Sequence, residues 1–302
     1  MDDILERAER FVWLTARVLE QRRFAHLFRD GTAAAVLEAL RPYRNPDGGY
    51  GWALEPDGRG PTSQPVHADF ALRVLDEVGA VDAGFCEALV PFTTPDGGLP
   101  IVHPAIAPYP HPPWWAIPDR AEGSLIPTAG IAGLLHRNHV EHPWLDGATA
   151  FCWDRIENLV DKQGSTHPWE VLACVDFLDG VPDRDRARAA AAELGARVRA
   201  ESLVVLDRDR PPASPPPGYA PGEYHYPDDY APRPDSLARE WFSDAEIDAA
   251  LDALAAEQRP DGGWPVRWGK WNPAAEIEFR PELSLRALLR LRAYGRTAAR
   301  PA

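Results

Sequence analysis

The sequence holds no apolar run near the roughly 18 residues that a helix needs to cross a bilayer, and it has only three cysteines. Cys86, Cys152 and Cys174 lie far apart with no C-x-x-C pair, an odd count that suits a reducing compartment and buried thiols. Positive charge is in short supply: 32 basic against 46 acidic side chains leave a net charge of −14. That surplus repels phosphate backbones and anionic headgroups, which argues against nucleic acid as a partner. The amino terminus (Met1, Asp2, Asp3) is acidic where a secretory signal would be basic. These absences lead to the expectation of a cytoplasmic globular protein with no integral membrane segment. Disorder is excluded from the other side, since 45% of the residues are hydrophobic and 10% aromatic.

Period-2 alternation is missing too, so strands are not expected. What the chain does have is clustered proline and glycine (32 and 23 residues) and 11 tryptophans in 302 residues. One phrase recurs: Pro46-Asp47-Gly48-Gly49-Tyr50, Pro95-Asp96-Gly97-Gly98-Leu99 and Pro260-Asp261-Gly262-Gly263-Trp264. Proline stops a preceding helix and aspartate closes a turn through its own carboxylate. The glycines allow positive φ and close approach, and the last residue pins the loop to a neighbour.

The segments between the phrases read as helices. Ser243-Asp244-Ala245-Glu246 is a capping-box pattern followed by Ile247, Leu251 and Leu254 at helical spacing. Proline-to-glycine or proline-to-asparagine spans predict helices over Pro65–Gly79, Pro127–Asn138, Pro168–Gly180 and Pro281–Gly295. Their apolar residues cover more than one side, which suits an inner ring, whereas the arginine-rich helix expected over 184–200 suits an outer one. Five or six helix pairs of roughly 50 residues each predict an all-α chain, a single domain over 1–302 closed into an α/α barrel around a central cavity. Two proline-rich stretches, 99–127 and 207–235, are expected as ordered loops near the cavity mouth.

Leu254-x3-Gln258-x3-Gly262-Gly263-Trp264 resembles the second half of the repeat of squalene–hopene cyclases and of protein prenyltransferase β subunits. Ala253 stands where that repeat carries an aromatic. With the helix-pair period, the chain is identified as a member of the α/α-toroid superfamily of terpenoid cyclases and prenyltransferases, an atypical single-domain bacterial-type one. The resemblance implies a toroid with a hydrophobic cavity; its motif is structural and says little about activity.

The superfamily's catalytic signatures do not carry over. The Asp-x-Asp-Asp acid cluster is absent, its nearest echo being Pro227-Asp228-Asp229-Tyr230. The match Asp2-Asp3-Ile4-Leu5-Glu6 to a magnesium–diphosphate motif sits at the extreme terminus, and Cys174 and Asp176 occur in the reverse of the zinc order. No metal or other cofactor is expected, with Mg2+ entering only if the substrate is a diphosphate.

Acids under an aromatic roof remain as candidates. Asp69, His67, Glu170 and Glu278 are the candidate catalytic residues, because a carboxylate beneath an apolar cavity has a raised pKa and can donate a proton. Trp114, Trp115, Trp169, Tyr226, Asp228, Trp268, Trp271 and Arg280 are the candidate substrate-binding residues, the aromatic faces being able to stabilise a cation. If extended, 276–280 sets Glu276, Glu278 and Arg280 on one side. The structural alternative pairs Asp69 with Arg73, and Glu278 with Arg280 or Arg267, as plain ion pairs. Three functions stay open: acid-initiated cyclisation or isomerisation of an isoprenoid-type substrate, a non-catalytic toroid binding a hydrophobic ligand or partner protein, and a carbohydrate-active barrel.

Overall fold

The computed structural model describes residues 2–115, 117, 120–161, 166–208, 210–212, 215 and 219–297. Parts of both proline-rich stretches lie outside the described residues. Among those described, regular structure is helical, with two isolated β-bridges and no strand. The chain divides into two compact units, and each is taken by itself. The first comprises Met1–Ala39 and Val198–Ala302, the second Leu40–Arg197.

The first unit opens with α1 (Asp2–Thr15), α2 (Val18–Phe28) and α3 (Ala33–Leu40). The second carries α4 (Pro65–Glu77), α5 (Gly84–Glu87), α6 (Leu125–Arg137), α7 (Pro143–Asp161), α8 (Pro168–Gly180) and α9 (Arg184–Ala200). The chain then returns to the first unit with α10 (Pro227–Tyr230), α11 (Asp244–Ala256) and α12 (Pro273–Ala293). The capping box forms as its sequence predicts, Ser243 Oγ accepting from Glu246 N at 3.3 Å and Glu246 Oε2 from Ser243 N at 2.8 Å. Three histidines cap the N-terminal ends of helical turns. Nδ1 of His103, His142 and His167 accepts from the amides of Ala105, Trp144 and Trp169.

The three glycine phrases fold alike. In each, the residue before proline and the second glycine bond (Asn45 N to Gly49 O and Thr94 N to Gly98 O, both 2.8 Å; Arg259 N to Gly263 O, 2.9 Å). The first glycine takes φ of +83°, +89° or +95°, and the aspartate carboxylate accepts from the second glycine's amide. A side chain other than glycine is strained at that φ.

The second and third copies also dock alike. Leu99 N donates to the Thr128 hydroxyl of α6 at 2.8 Å, and Trp264 N to the Ser284 hydroxyl of α12 at 3.0 Å. Each hydroxyl donates onward to the carbonyl four residues back, Ser124 or Arg280. Beneath the glycines lies a phenylalanine, Phe151 of α7 or Phe11 of α1, so close that a Cβ on Gly98 or Gly263 would stand 2.7 or 2.5 Å from its ring. An arginine covers that ring and holds the phrase's aspartate: Arg155 with Asp96 in one copy, Arg280 with Asp261 in the other. Ser284→Ala leaves the buried Trp264 amide without its acceptor. It is expected to cost about 1–3 kcal/mol, read as a lowered urea midpoint, with Thr128→Ala doing the same to Leu99.

The last helix corrects the sequence reading. α12 begins at Pro273 and runs through Pro281, so 276–280 is helical and its alternation does not put Glu276, Glu278 and Arg280 on one side. Asn272 explains the earlier start: its Oδ1 accepts from Ala274 N at 2.9 Å, with Pro273 at the first helical position. Glu276 bonds Lys270, while Glu278 stands 3.7 Å from Arg17 rather than beside Arg280 or Arg267.

Candidate functional site

The second unit gathers His67, Trp114 and Trp115 at the start of α4. Residues 51–64 form a loop that lies on this helix end, and residues 103–110 of the first proline-rich stretch contact it. His103 N donates to Gln64 Oε1 at 2.6 Å and Arg59 N to Pro110 O at 3.1 Å. Gly60 stands against the Tyr109 ring, and Gly58 against His67 and Ile106. Trp115 and Ile117 pack on the buried cluster of Val66, Val102 and Ile106. Trp114, next to Trp115 in the chain, is 49% exposed, and Trp52, whose Nε1 donates to Asn45 Oδ1, is 55% exposed.

His67 is completely buried. Its Nδ1 accepts from Glu55 N at 3.0 Å, and since an amide can only donate, the neutral ring carries its proton on Nε2. Glu55 and Asp57 are buried in the same loop, Glu55 Oε2 accepting from the amides of Asp57 and Gly58. Trp52 and Ala53, consecutive and neither one glycine, have φ near +59° and +58°. Such backbone strain persists only where surrounding contacts impose it. Glu55, Asp57 and Trp52 were not sequence candidates, although Pro56-Asp57-Gly58 is a shortened fourth copy of the recurring phrase.

Beside α4 lies a narrow apolar recess lined by Tyr50, Pro65, Ala68, Phe85, Leu89 and Phe92. Ala68 follows Gln64 by four residues, as Thr128 follows Ser124, and Gln64 N bonds Tyr50 O as Ser124 N bonds Leu99 O. The first copy therefore places a methyl where the other two place a docking hydroxyl.

Asp69 turns away from His67. Its Oδ2 accepts from Arg73 Nε at 3.0 Å, and Arg73 Nη2 reaches Asp176 Oδ2 of α8 at 2.8 Å. The two aspartates hold the guanidinium's pKa up against the opposing effect of burial. Glu170 and Trp169 stand half-buried in the first turn of α8, next to the capping His167. Burial lowers the pKa of His167, with Glu170 opposing.

The first unit holds the remaining candidates, and among them Tyr226 and Asp228 come together. Tyr226 lies between two guanidiniums, Arg208 at 3.6 Å and Arg267 at 5.0 Å from its ring centre. Asp228 is fully buried; Arg208 and Arg290 donate to its two oxygens, each at 3.2 Å. Burial, and then the charge of Asp229, push the Asp228 carboxyl up over the pull of Arg290 and Arg208. Burial acts in the same sense on Asp229, but there Arg290 and Arg267 prevail and hold it well below the usual range. Glu257 bonds Arg208 and Arg267, so three carboxylates meet three guanidiniums. An aromatic group adjoins this knot: His225 bonds the Tyr219 hydroxyl at 2.7 Å, and its ring leads to Tyr230 and Trp241.

Trp268, Trp271 and Arg280 lie elsewhere in this unit. Trp268 packs edge-on against Phe279, and Trp271 is half-buried just before α12. Both of Arg280's terminal nitrogens are 2.8 Å from Asp261, making it part of the glycine-phrase clamp. No group of three or more His, Cys, Asp or Glu side chains fit to hold a metal occurs among the described residues. None of the described helices is long and apolar enough to cross a membrane. Compared with models of known protein families and with curated proteins, the chain matches none.

Proposed function

We propose that this chain binds the apolar end of a hydrophobic, isoprenoid-type ligand in the recess beside α4, without itself turning that ligand over. The observation that carries the reading is the recess: apolar and aromatic side chains wall it where the repeat's docking hydroxyl is replaced by Ala68. The recess is closed down to about the size of one water, so a branched methyl terminus enters only as the side chains of Phe85, Leu89 and Phe92 move apart, and Trp115 and the exposed Trp114 offer apolar surface at the same helix end for the rest of the ligand. The engagement of Asp69 by Arg73, and of Glu278 by Arg17, supports binding over catalysis, because two of the three candidate carboxylates already serve as structural partners. Kinship with the terpenoid-cyclase superfamily and an α/α-toroid architecture belong to the same proposal, supported by the docking scheme that the second and third glycine phrases share.

A second reading, acid-initiated cyclisation or isomerisation, is favoured by one feature. Asp228 and Asp229 are adjacent carboxylates whose pKa values are driven apart, the pattern of an acid paired with a charged stabiliser. Mg2+ would enter this reading only with a diphosphate substrate.

One experiment separates the two. The protein is titrated with prenols, prenyl diphosphates and squalene while intrinsic tryptophan fluorescence is followed, and each mixture is analysed by mass spectrometry. Binding without new product is expected, and Ala68→Leu, which fills the recess, should weaken affinity at least tenfold, about 1.4 kcal/mol. Binding unaltered by Ala68→Leu would overturn the recess as the site. A cyclised or isomerised product that disappears with Asp228→Asn would establish the second reading instead.

A further inference from the structure

Four large apolar side chains of the first unit face solvent where three helix ends meet. Trp13 and Leu14 close α1, Val18 opens α2, and Ile277 lies in the second turn of α12; they are 46, 73, 59 and 58% exposed. Arg17, in the short link between α1 and α2, stands 3.7 Å from Glu278, which brings that link next to Ile277. A leucine with nearly three quarters of its surface in water projects outward and does not line a groove. Clustered exposed apolar residues of this size mark an interaction surface.

The charges around them say what covers it. Arg10 lies one turn before Trp13 on α1, and Arg22 one turn after Val18 on α2. Both are exposed, and neither forms an ion pair with a described residue. The nearby charges on α12 are already matched, Glu276 with Lys270 and Glu278 with Arg17. Of the acidic residues of α1, Asp2, Asp3 and Glu6 lie toward the other end of the helix, and Glu9, beside Arg10, is matched by Arg29. On a chain of net charge −14, this is a locally cationic rim around projecting apolar side chains.

We propose that the end of α1 and the starts of α2 and α12 form a docking surface for an anionic lipid membrane. Leu14, Val18 and Ile277 enter the acyl boundary, Trp13 sits at headgroup level, and Arg10 and Arg22 meet lipid phosphates. A second copy of the chain is the poorer occupant, because a two-fold interface pairs this surface with itself and so sets one cationic rim against another. The chain's overall negative charge opposes approach to anionic lipid, so the attachment is weak, reversible and dependent on the local rim.

The test is sedimentation of the full chain with vesicles of phosphatidylcholine alone, or of phosphatidylcholine mixed with phosphatidylglycerol. Vesicles carrying brominated acyl chains report tryptophan depth by quenching. Binding is expected to the mixed vesicles, to fall at least tenfold in Leu14→Glu, and to fall severalfold in the double variant Arg10→Gln/Arg22→Gln. Trp13→Phe should keep binding while losing most of the quenching. All four positions are exposed, and circular dichroism verifies that each variant remains folded. Three results would overturn the proposal: no sedimentation with mixed vesicles, binding indifferent to Leu14→Glu, or a concentration-dependent dimer in ultracentrifugation that Leu14→Glu dissolves.

Discussion

Replacing Gly133 by alanine is expected to destabilise the second unit by about 3 kcal/mol, the upper part of the overpacking range or beyond it. Gly133 sits inside α6, where alanine would normally gain about 0.5–1 kcal/mol through helix propensity. Here the added methyl carbon would lie 2.2 Å from the Asp176 carbonyl oxygen of α8, with the Asp176 and Phe177 backbone just behind it. Gly180 repeats the arrangement from the other helix, its own Cβ position being 2.0 Å from the Gly133 carbonyl oxygen. Backbone meets backbone across this contact, so no side-chain rotation relieves the clash and the two helices must separate. That movement also shifts Asp176 relative to Arg73, which spans α4 and α8. Gly147 of α7 is the control: nothing lies within 4 Å of its Cβ position, so Gly147→Ala should stabilise by about 0.5–1 kcal/mol. Denaturant midpoints of the two variants measure the contrast. Equal midpoints would show that α6 and α8 do not approach this closely.

That contact illustrates what the sequence conveys and what it withholds. The apolar faces of α6 and α8 are legible because helical periodicity is local, and so are the caps at Ser243 and the turn made by each glycine phrase. The partner under each turn is not legible. Phe11 lies far from Gly263 in sequence, and Phe151 far from Gly98. Nothing in a spacing says which hydroxyl, Thr128 or Ser284, will receive the amide. Periodicity likewise shows which face is apolar but not which helix covers it, so closure into a ring could not be read from it.

The candidate site was partly legible for the same reason. Asp69 and Arg73 are one helical turn apart, so their pairing follows from spacing, but the second carboxylate on Arg73 comes from α8 and does not. His67 combined with a helix start suggests chemistry, yet its complete burial and its bond from Glu55 N make it a pin for the 51–64 loop. Proline favours the first turn, so the sequence points to Pro281 as the start of the last helix. Asn272-Pro273, two turns earlier, carried the same signal together with a capping side chain. The more complete signal is the one the chain follows.

The second large effect lies in the first unit, at Glu282. Arg23 of α2 and Glu282 of α12 form an ion pair in which both side chains are nearly fully buried, and Arg286 Nε reaches the other carboxylate oxygen at 2.7 Å. Glu282→Gln removes the charge that faces the buried Arg23 guanidinium and Arg286, and breaking one side of a buried pair costs about 3–5 kcal/mol. The pH dependence distinguishes this from lost packing. Burial alone would raise the Glu282 carboxyl, but Arg23 and Arg286 outweigh it and hold the group far below its ordinary value. A group with a depressed folded pKa contributes its full stability above its unfolded pKa, about 4.3. That contribution drains away as pH falls toward the folded value. The gap between the native chain and Glu282→Gln in urea midpoint should therefore be widest near pH 7 and close progressively below about pH 4.3. A gap that stays constant to pH 3 would mean that shape, not charge, makes Glu282 important. The double variant Arg23→Met/Glu282→Leu removes both charges at once and should recover much of the lost stability, since an apolar pair of similar volume needs no counter-charge.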